Sequence, residues 1–257
     1  MFIGQAFSHT LCEYPEDWQI CPQHEVITAH INTLLKQHCD TIYGDVQLNL
    51  GELSLLAGSQ DNRLRKTINL HVNHAQIDAL ADTVCPIHAP RHQAVYGKMV
   101  ELPFAQGSID TVCLINGLDF THDPHQLLRE IERVTRSDGH IILTGFNPMS
   151  ISGVYRHLPF YASHPFKKAR FFSYYRVKEW LNVLGFSIKF RCFFGPANIF
   201  SQPKKITQLS RPNRLAPLQS MYFIVAQKHE IPMSVIKPKF ARVKPRLQSA
   251  QPSLRVK

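Results

Sequence analysis

The stretch from Ser108 to Gly145 limits the fold more than any other part of the chain. Thr111-Val112-Cys113-Leu114-Ile115 is a near-continuous apolar run, the pattern of a strand buried on both faces of a parallel sheet. Asp123-Pro124 then supplies an N-cap and a proline at the first helical position, where the missing N–H costs nothing. Leu127, Leu128, Ile131 and Val134 recur on one helical stripe, with Arg129, Glu130, Glu132 and Arg133 largely on the other faces. Asp138-Gly139 predicts the turn that closes the unit, and Ile141-Ile142-Leu143 opens the next strand. Strand, capped helix, turn and strand make a βαβ unit, whose crossover in one sheet is right-handed.

The rest of the chain reads consistently with that unit. A helix is expected over about Gln23 to Cys39, followed by a strand at Val46 to Leu50 that meets Gly51, and a second strand at Thr67 to Val72. A third element is expected near Ala94 to Val100. Ser173 to Leu184 reads as a helix ended by Gly185, and Phe186 to Phe194 and Met221 to Gln227 read as strands. Between those strands, Gly195 to Gln219 is rich in Pro, Ser and basic residues and reads as a long surface loop. Strands alternating with helices predict an α/β fold with a doubly wound, mostly parallel sheet.

The net charge of +10 suggests a nucleic-acid binder until it is divided along the chain. Residues 1–203 hold 17 Lys/Arg against 18 Asp/Glu, whereas residues 204–257 hold 12 against Glu230 alone. The expected organisation is an N-terminal helical extension (1–41), a main α/β domain (42–228) and a basic, disordered tail (229–257) too poor in apolar residues to build a core. That tail could make weak contacts with nucleic acid or another acidic surface; its single aromatic, Phe240, gives no stacking platform. Six cysteines occur without a CxxC pair, which suits a reducing cytosol. No leader-like start and no stretch approaching the ~20 apolar residues of a membrane span is seen, so a soluble cytoplasmic protein with no membrane partner is expected.

Four submotifs stand in order: Leu102-Pro103-Phe104, Ser108-Ile109-Asp110-Thr111-Val112, Asp123-Pro124 through Leu128-Arg129-Glu130-Ile131-Glu132-Arg133-Val134, and Asp138-Gly139-His140-Ile141-Ile142. In that order and spacing the chain resembles the small-molecule branch of the class I S-adenosylmethionine-dependent methyltransferases (methyltransferase type 11-like). The likeness is close over 96–145 and weaker over 42–227, and Gly145-Phe146-Asn147-Pro148 is similar to bacterial members of the superfamily. The resemblance implies a Rossmann-like, seven-stranded sheet, S-adenosylmethionine as cofactor and a small-molecule substrate.

It also implies where the cofactor is held, and there the chain departs from the family. The first strand of the family ends in a Gly-x-Gly-x-Gly turn; here only Gly51 remains, Leu53 and Leu55 take the other two positions, and Asn49 replaces an acidic residue. A carboxylate that would take the ribose hydroxyls is missing from Leu70-His71-Val72-Asn73. Lys98 stands where an acid faces the adenine, although Met99, Val100 and Leu102 could sandwich a purine. The expected cofactor set is therefore altered: Asn49, Gly51, Asn73 (with His71 as the other candidate on that strand), Lys98, Met99 and Asn116, the last lying near the transferable methyl. A second reading keeps the fold and loses catalysis, leaving a binding module whose basic tail meets an acidic partner.

Two residues are candidates for catalysis. His122, between Asp119 and Asp123 just past the fourth strand, could act as general base. Asn147, at the carboxyl end of the next strand beside Phe146 and Tyr155, lies where open α/β sheets bind ligands, and as Asn147-Pro148 it fits a turn or pocket wall better than an amine-holding motif. Cys85 with His88, and Cys12, Cys21 and His24, lack paired zinc spacing, so no metal centre is expected.

Overall fold

The structure is a computed structural model; it describes residues 18, 21–39, 44–51, 53–54, 66–71, 92–155, 169–196, 199 and 218–229. The elements are α1 (His24–Cys39), β1 (Val46–Leu50), β2 (Lys66–His71), β3 (His92–Tyr96), β4 (Ile109–Ile115), α2 (Pro124–Val134), β5 (Thr135–Phe146), α3 (Ile151–Tyr155), α4 (Tyr174–Val183), β6 (Phe186–Phe194) and β7 (Met221–Lys228). They form one seven-stranded sheet in the order β3-β2-β1-β4-β5-β7-β6. Strands β1 to β5 pair in parallel, and β7 runs antiparallel between β5 and β6. The direction of winding reverses between β1 and β4, and that crevice at the strands' carboxyl ends is where such sheets bind ligands.

Side-chain alternation along the strands builds two apolar layers. On one face Leu48, Leu50, Ile68, Leu70, Val112, Leu114, Ile141 and Leu143 pack with Leu127, Ile131 and Val134 of α2 and Val177 and Leu181 of α4. On the other, Cys113, Ile115, Ile142, Phe146, Phe223 and Val225 pack with Ile27, Ile31 and Leu35 of α1 and with Trp18. A doubly wound α/β sheet is the architecture expected from the sequence.

The boundaries agree closely with the pattern. The Asp123 carboxylate accepts from the backbone N–H groups of His125 and Gln126 and starts α2 as an N-cap should. Ser173 does the same for α4, and Gly185, at φ +80°, ends it. Two expectations are revised. The third element is a strand over His92–Tyr96, with a turn across Lys98 and Glu101 after it. Asp138-Gly139 does not separate a helix from a strand: β5 starts at Thr135 and runs through it. The register against β4 shifts between Ile109 and Thr111, so the left-handed Asp138 (φ +63°) is absorbed as an irregularity in a continuous strand. The loop expected over 195–219 and the tail from 230 onward lie mostly or wholly outside the described residues.

Candidate functional site at the carboxyl ends of the strands

At the winding reversal the chain turns sharply. Gly51 sits at φ +85°, a conformation open to glycine, and brings Leu53 and Ser54 back over the strand ends. The Ser54 hydroxyl donates to the Leu50 carbonyl (2.6 Å) and accepts from the Ile115 N–H (2.8 Å), tying β1 to β4. Leu53 is buried among Ile115, Phe120 and Trp18, so the glycine position of the family turn is filled by a core side chain.

One strand over, β4 ends in a connected polar group. Asn116 adopts a left-handed conformation (φ +54°), which asparagine tolerates better than most residues. Its backbone N–H donates to the carbonyl and hydroxyl oxygens of Thr144, its side-chain oxygen accepts from the Thr144 hydroxyl (2.9 Å), and its amide donates to Asp119 (3.0 Å). The same Asp119 oxygen accepts from the Phe146 N–H (3.0 Å), and the Asp119 carbonyl accepts from the Arg170 N–H (2.6 Å). Asn116, Asp119 and Thr144 are all fully buried. Below them the Tyr222 hydroxyl lies against Gly145, where a Cβ would overlap it. Burial and the nearby Asp119 carboxylate push that phenol well above its usual pKa, so it stays protonated. It has no hydrogen-bond partner among the described residues.

The expected cofactor residues divide into three kinds. Gly51 and Asn116 are the residues that directly follow β1 and β4 at their carboxyl ends. The Asn49 amide is turned inward: its oxygen accepts from Gln47 (2.6 Å) and its nitrogen donates to Asn69 on β2 (2.9 Å), a buried ladder across two strands. Lys98 is exposed after β3, while Met99 and Leu102 are buried beside it. Asn73 lies outside the described residues. His71, the last residue of β2, is 6% exposed, its Nδ1 has no hydrogen-bond partner among the described residues, and burial lowers its pKa, so the imidazole is neutral near pH 7.

Of the catalytic candidates, His122 is exposed, and its carbonyl accepts from the Arg170 guanidinium (2.9 Å). Asn147 is 3% exposed and its side chain is fully engaged, donating to the Gln219 carbonyl (2.9 Å) and accepting from the Met149 N–H (3.1 Å). That geometry is a turn clamp beside the crevice. No group of three or more metal-ligating side chains is found among the described residues.

Sequence reasoning missed Asp119, Thr144, Ser54 and Tyr222. Only Asp119 left a signal, as a carboxylate between Leu118 and Phe120 in an otherwise apolar turn. The Arg-Glu-Ile-Glu-Arg-Val helix also has a role beyond covering a surface. Glu130 accepts from the Leu102 N–H, and Arg133 donates to the carbonyls of Leu102 (2.9 Å) and Phe104 (2.8 Å), so α2 holds the Leu-Pro-Phe segment that follows the Lys98–Glu101 turn.

The comparisons with known proteins agree with this fold. Residues 52–143 match the family described as a methyltransferase domain. That match and the shared fold support reading these residues as an S-adenosylmethionine-dependent methyltransferase domain. The uncharacterized protein YafS of Escherichia coli (strain K12) is 27% identical over 236 residues, covering 92% of this chain and 90% of YafS. An S-adenosylmethionine-dependent methyltransferase from Thermotoga maritima shares the fold at a TM-score of 0.57 and 16% identity, covering 82% of this chain and 99% of that one. The [4+2]-cyclase SpnF shares it at a TM-score of 0.59 and 17% identity, covering 84% and 86%. The same methyltransferase sheet is thus found in a protein named for a cyclisation, and the fold alone does not fix the chemistry.

Proposed function

We propose that this methyltransferase binds S-adenosylmethionine across the carboxyl ends of β1, β2 and β4 and passes its methyl group to a small molecule that enters beside β5. The observation carrying the reading is the buried Nδ1 of His71 at the end of β2, which has no hydrogen-bond partner among the described residues. A buried polar atom without a partner is costly unless a ligand satisfies it, and a neutral imidazole can exchange a hydrogen bond with a ribose hydroxyl where the family uses a carboxylate.

Other residues suit the same ligand. Gly51 lets the backbone approach it, and Met99 and Leu102 offer apolar walls for a purine, with Asn73, two residues after His71 in sequence, and Lys98 as further candidates. Asn49 acts one step back, through Asn69, by fixing the β1–β2 register. Leu53 makes the turn narrower than a glycine turn, so the methionine portion would sit closer to Asn116.

When bound, the cofactor supplies an electrophilic methyl group. The chain's own part is positioning. Asp119 and Thr144 hold Asn116 in its left-handed conformation, so the backbone after β4 is preset. Pre-organising two reactants is worth several powers of ten in rate and is lost by small displacements. His122, on the exposed turn after β4, is the candidate to take a proton from the acceptor, and Asn147 holds the far wall. The family match favours this reading over a non-catalytic module that kept the fold.

Calorimetric titration with S-adenosylmethionine and S-adenosylhomocysteine tests the proposal. Saturable binding that raises the melting temperature with ligand concentration is expected. No heat and no stabilisation at millimolar ligand would remove it.

A further inference from the structure

We propose that the rim formed by α3, the start of α4 and Leu218 is a docking surface for an anionic lipid bilayer. Seven large apolar side chains are exposed among the described residues, and five of them stand on this rim: Met149 (72%), Ile151 (41%), Val154 (63%), Tyr175 (71%) and Leu218 (44%). Hydrogen bonds draw four of them together. Asn147 donates through its side chain to the Gln219 carbonyl and through its backbone to that of Ser220, and it accepts from the Met149 N–H, which sets α3 beside residue 218. Tyr175 joins them by topology. Strand β6 runs parallel to β5, since both pair antiparallel with β7, so α4 starts at the carboxyl end of the sheet and returns to the other end.

Single exposed apolar residues are ordinary on a folded surface, but a group on one edge marks an interaction site. The charge around it selects the partner. Among the described residues from 139 to 229 six are basic and one is acidic. Arg170, Arg176 and Lys178 belong to the rim's own segment, with Glu179 the single acid between residues 139 and 229. The acids contributed by neighbouring turns are not free to oppose them: Asp119 is buried and Asp123 caps α2. Aliphatic side chains beside basic ones fit the boundary between acyl chains and anionic headgroups, with a tyrosine at headgroup level. Nucleic acid fits less well, because Met149, Ile151, Val154 and Leu218 offer bases no stacking face. Among the described residues no helix is long and apolar enough to cross a membrane.

The docking does not depend on methyl transfer. Its consequence for the substrate does rest on the function proposed above: a bilayer at this rim delivers a lipid-soluble acceptor directly to the carboxyl end of β5.

Sedimentation of the full chain with phospholipid vesicles, without S-adenosylmethionine, tests the docking separately from catalysis. The protein should pellet with vesicles of phosphatidylcholine mixed with phosphatidylglycerol and stay in solution with phosphatidylcholine alone. Replacing Met149, Ile151 and Val154 together by serine should weaken binding at least about tenfold at an unchanged melting temperature. Should the triple variant melt early, Val154→Ser alone provides the test, with a several-fold loss. Arg176→Ser and Lys178→Ser should each cost about fivefold. Equal pelleting with neutral vesicles overturns the proposal. So does full binding by the serine variants, which would assign the effect to diffuse positive charge, and so does retention of single-stranded RNA that those variants leave intact.

Discussion

The two halves of the site are built differently. From β4 through α2 to β5, each sequence motif has a matching bond: Asp110 accepts from the N–H groups of Asp45 and Val46, Asp123 caps α2, and Glu130 with Arg133 holds the Leu102-Phe104 segment. At the ends of β1 and β2 the family's polar and glycine positions carry other residues, and the chain has filled the space with Leu53, an amide ladder and a neutral histidine. The first half supports the scaffold and the acceptor wall. Under the function proposed above, the second half is where the cofactor would bind, so changes of residue type there should alter how tightly a ligand is held.

If that contrast is right, the largest effect comes from Leu53. Leu53→Gly empties a buried site and should cost about 3–5 kcal/mol in chemical denaturation, while easing the turn enough to tighten S-adenosylmethionine binding in the molecules that remain folded. Tightening without destabilisation would mean Leu53 is not a core residue. Asp119→Ala leaves the Asn116 amide and the Phe146 N–H without their acceptor and should cost about 3 kcal/mol, with Asp119→Asn milder.

Gly145→Ala should cost roughly 1–3 kcal/mol by driving a methyl group into the Tyr222 hydroxyl. Tyr222→Phe in the same chain should return part of that loss, and the double-mutant cycle reads the coupling. Glu130→Gln has the smallest effect, about 1 kcal/mol at neutral pH. The hydrogen bond from Arg133 holds the folded-state pKa of Glu130 below its unfolded value, so the stabilisation is full above the unfolded carboxylate pKa. It is lost as pH falls through the folded value, and the urea midpoints of wild type and E130Q should therefore converge on acidification.

The sequence made the sheet legible because burial on both faces forces apolar runs such as Thr111–Ile115, and because caps such as Asp123 and Ser173 have to sit at helix starts. The site was legible only in part. Leu53 and Lys98 were visible as departures, but Asn49 could not be seen to spend its amide on Asn69, since that pairing depends on the β1–β2 register. Thr144 and Tyr222 gave no signal, because their positions follow from which strands become neighbours. Asn147 reads as a turn in both sequence and structure, and its bonds to residues 219 and 149 explain why.

A crystal structure with S-adenosylhomocysteine is the most direct measure of whether the altered half still holds the cofactor. The account predicts the ribose at the end of β2 within hydrogen-bonding distance of His71, and the purine against Met99 and Leu102. Ligand density elsewhere, or a crevice that stays closed by Leu53 at saturating ligand, would contradict it.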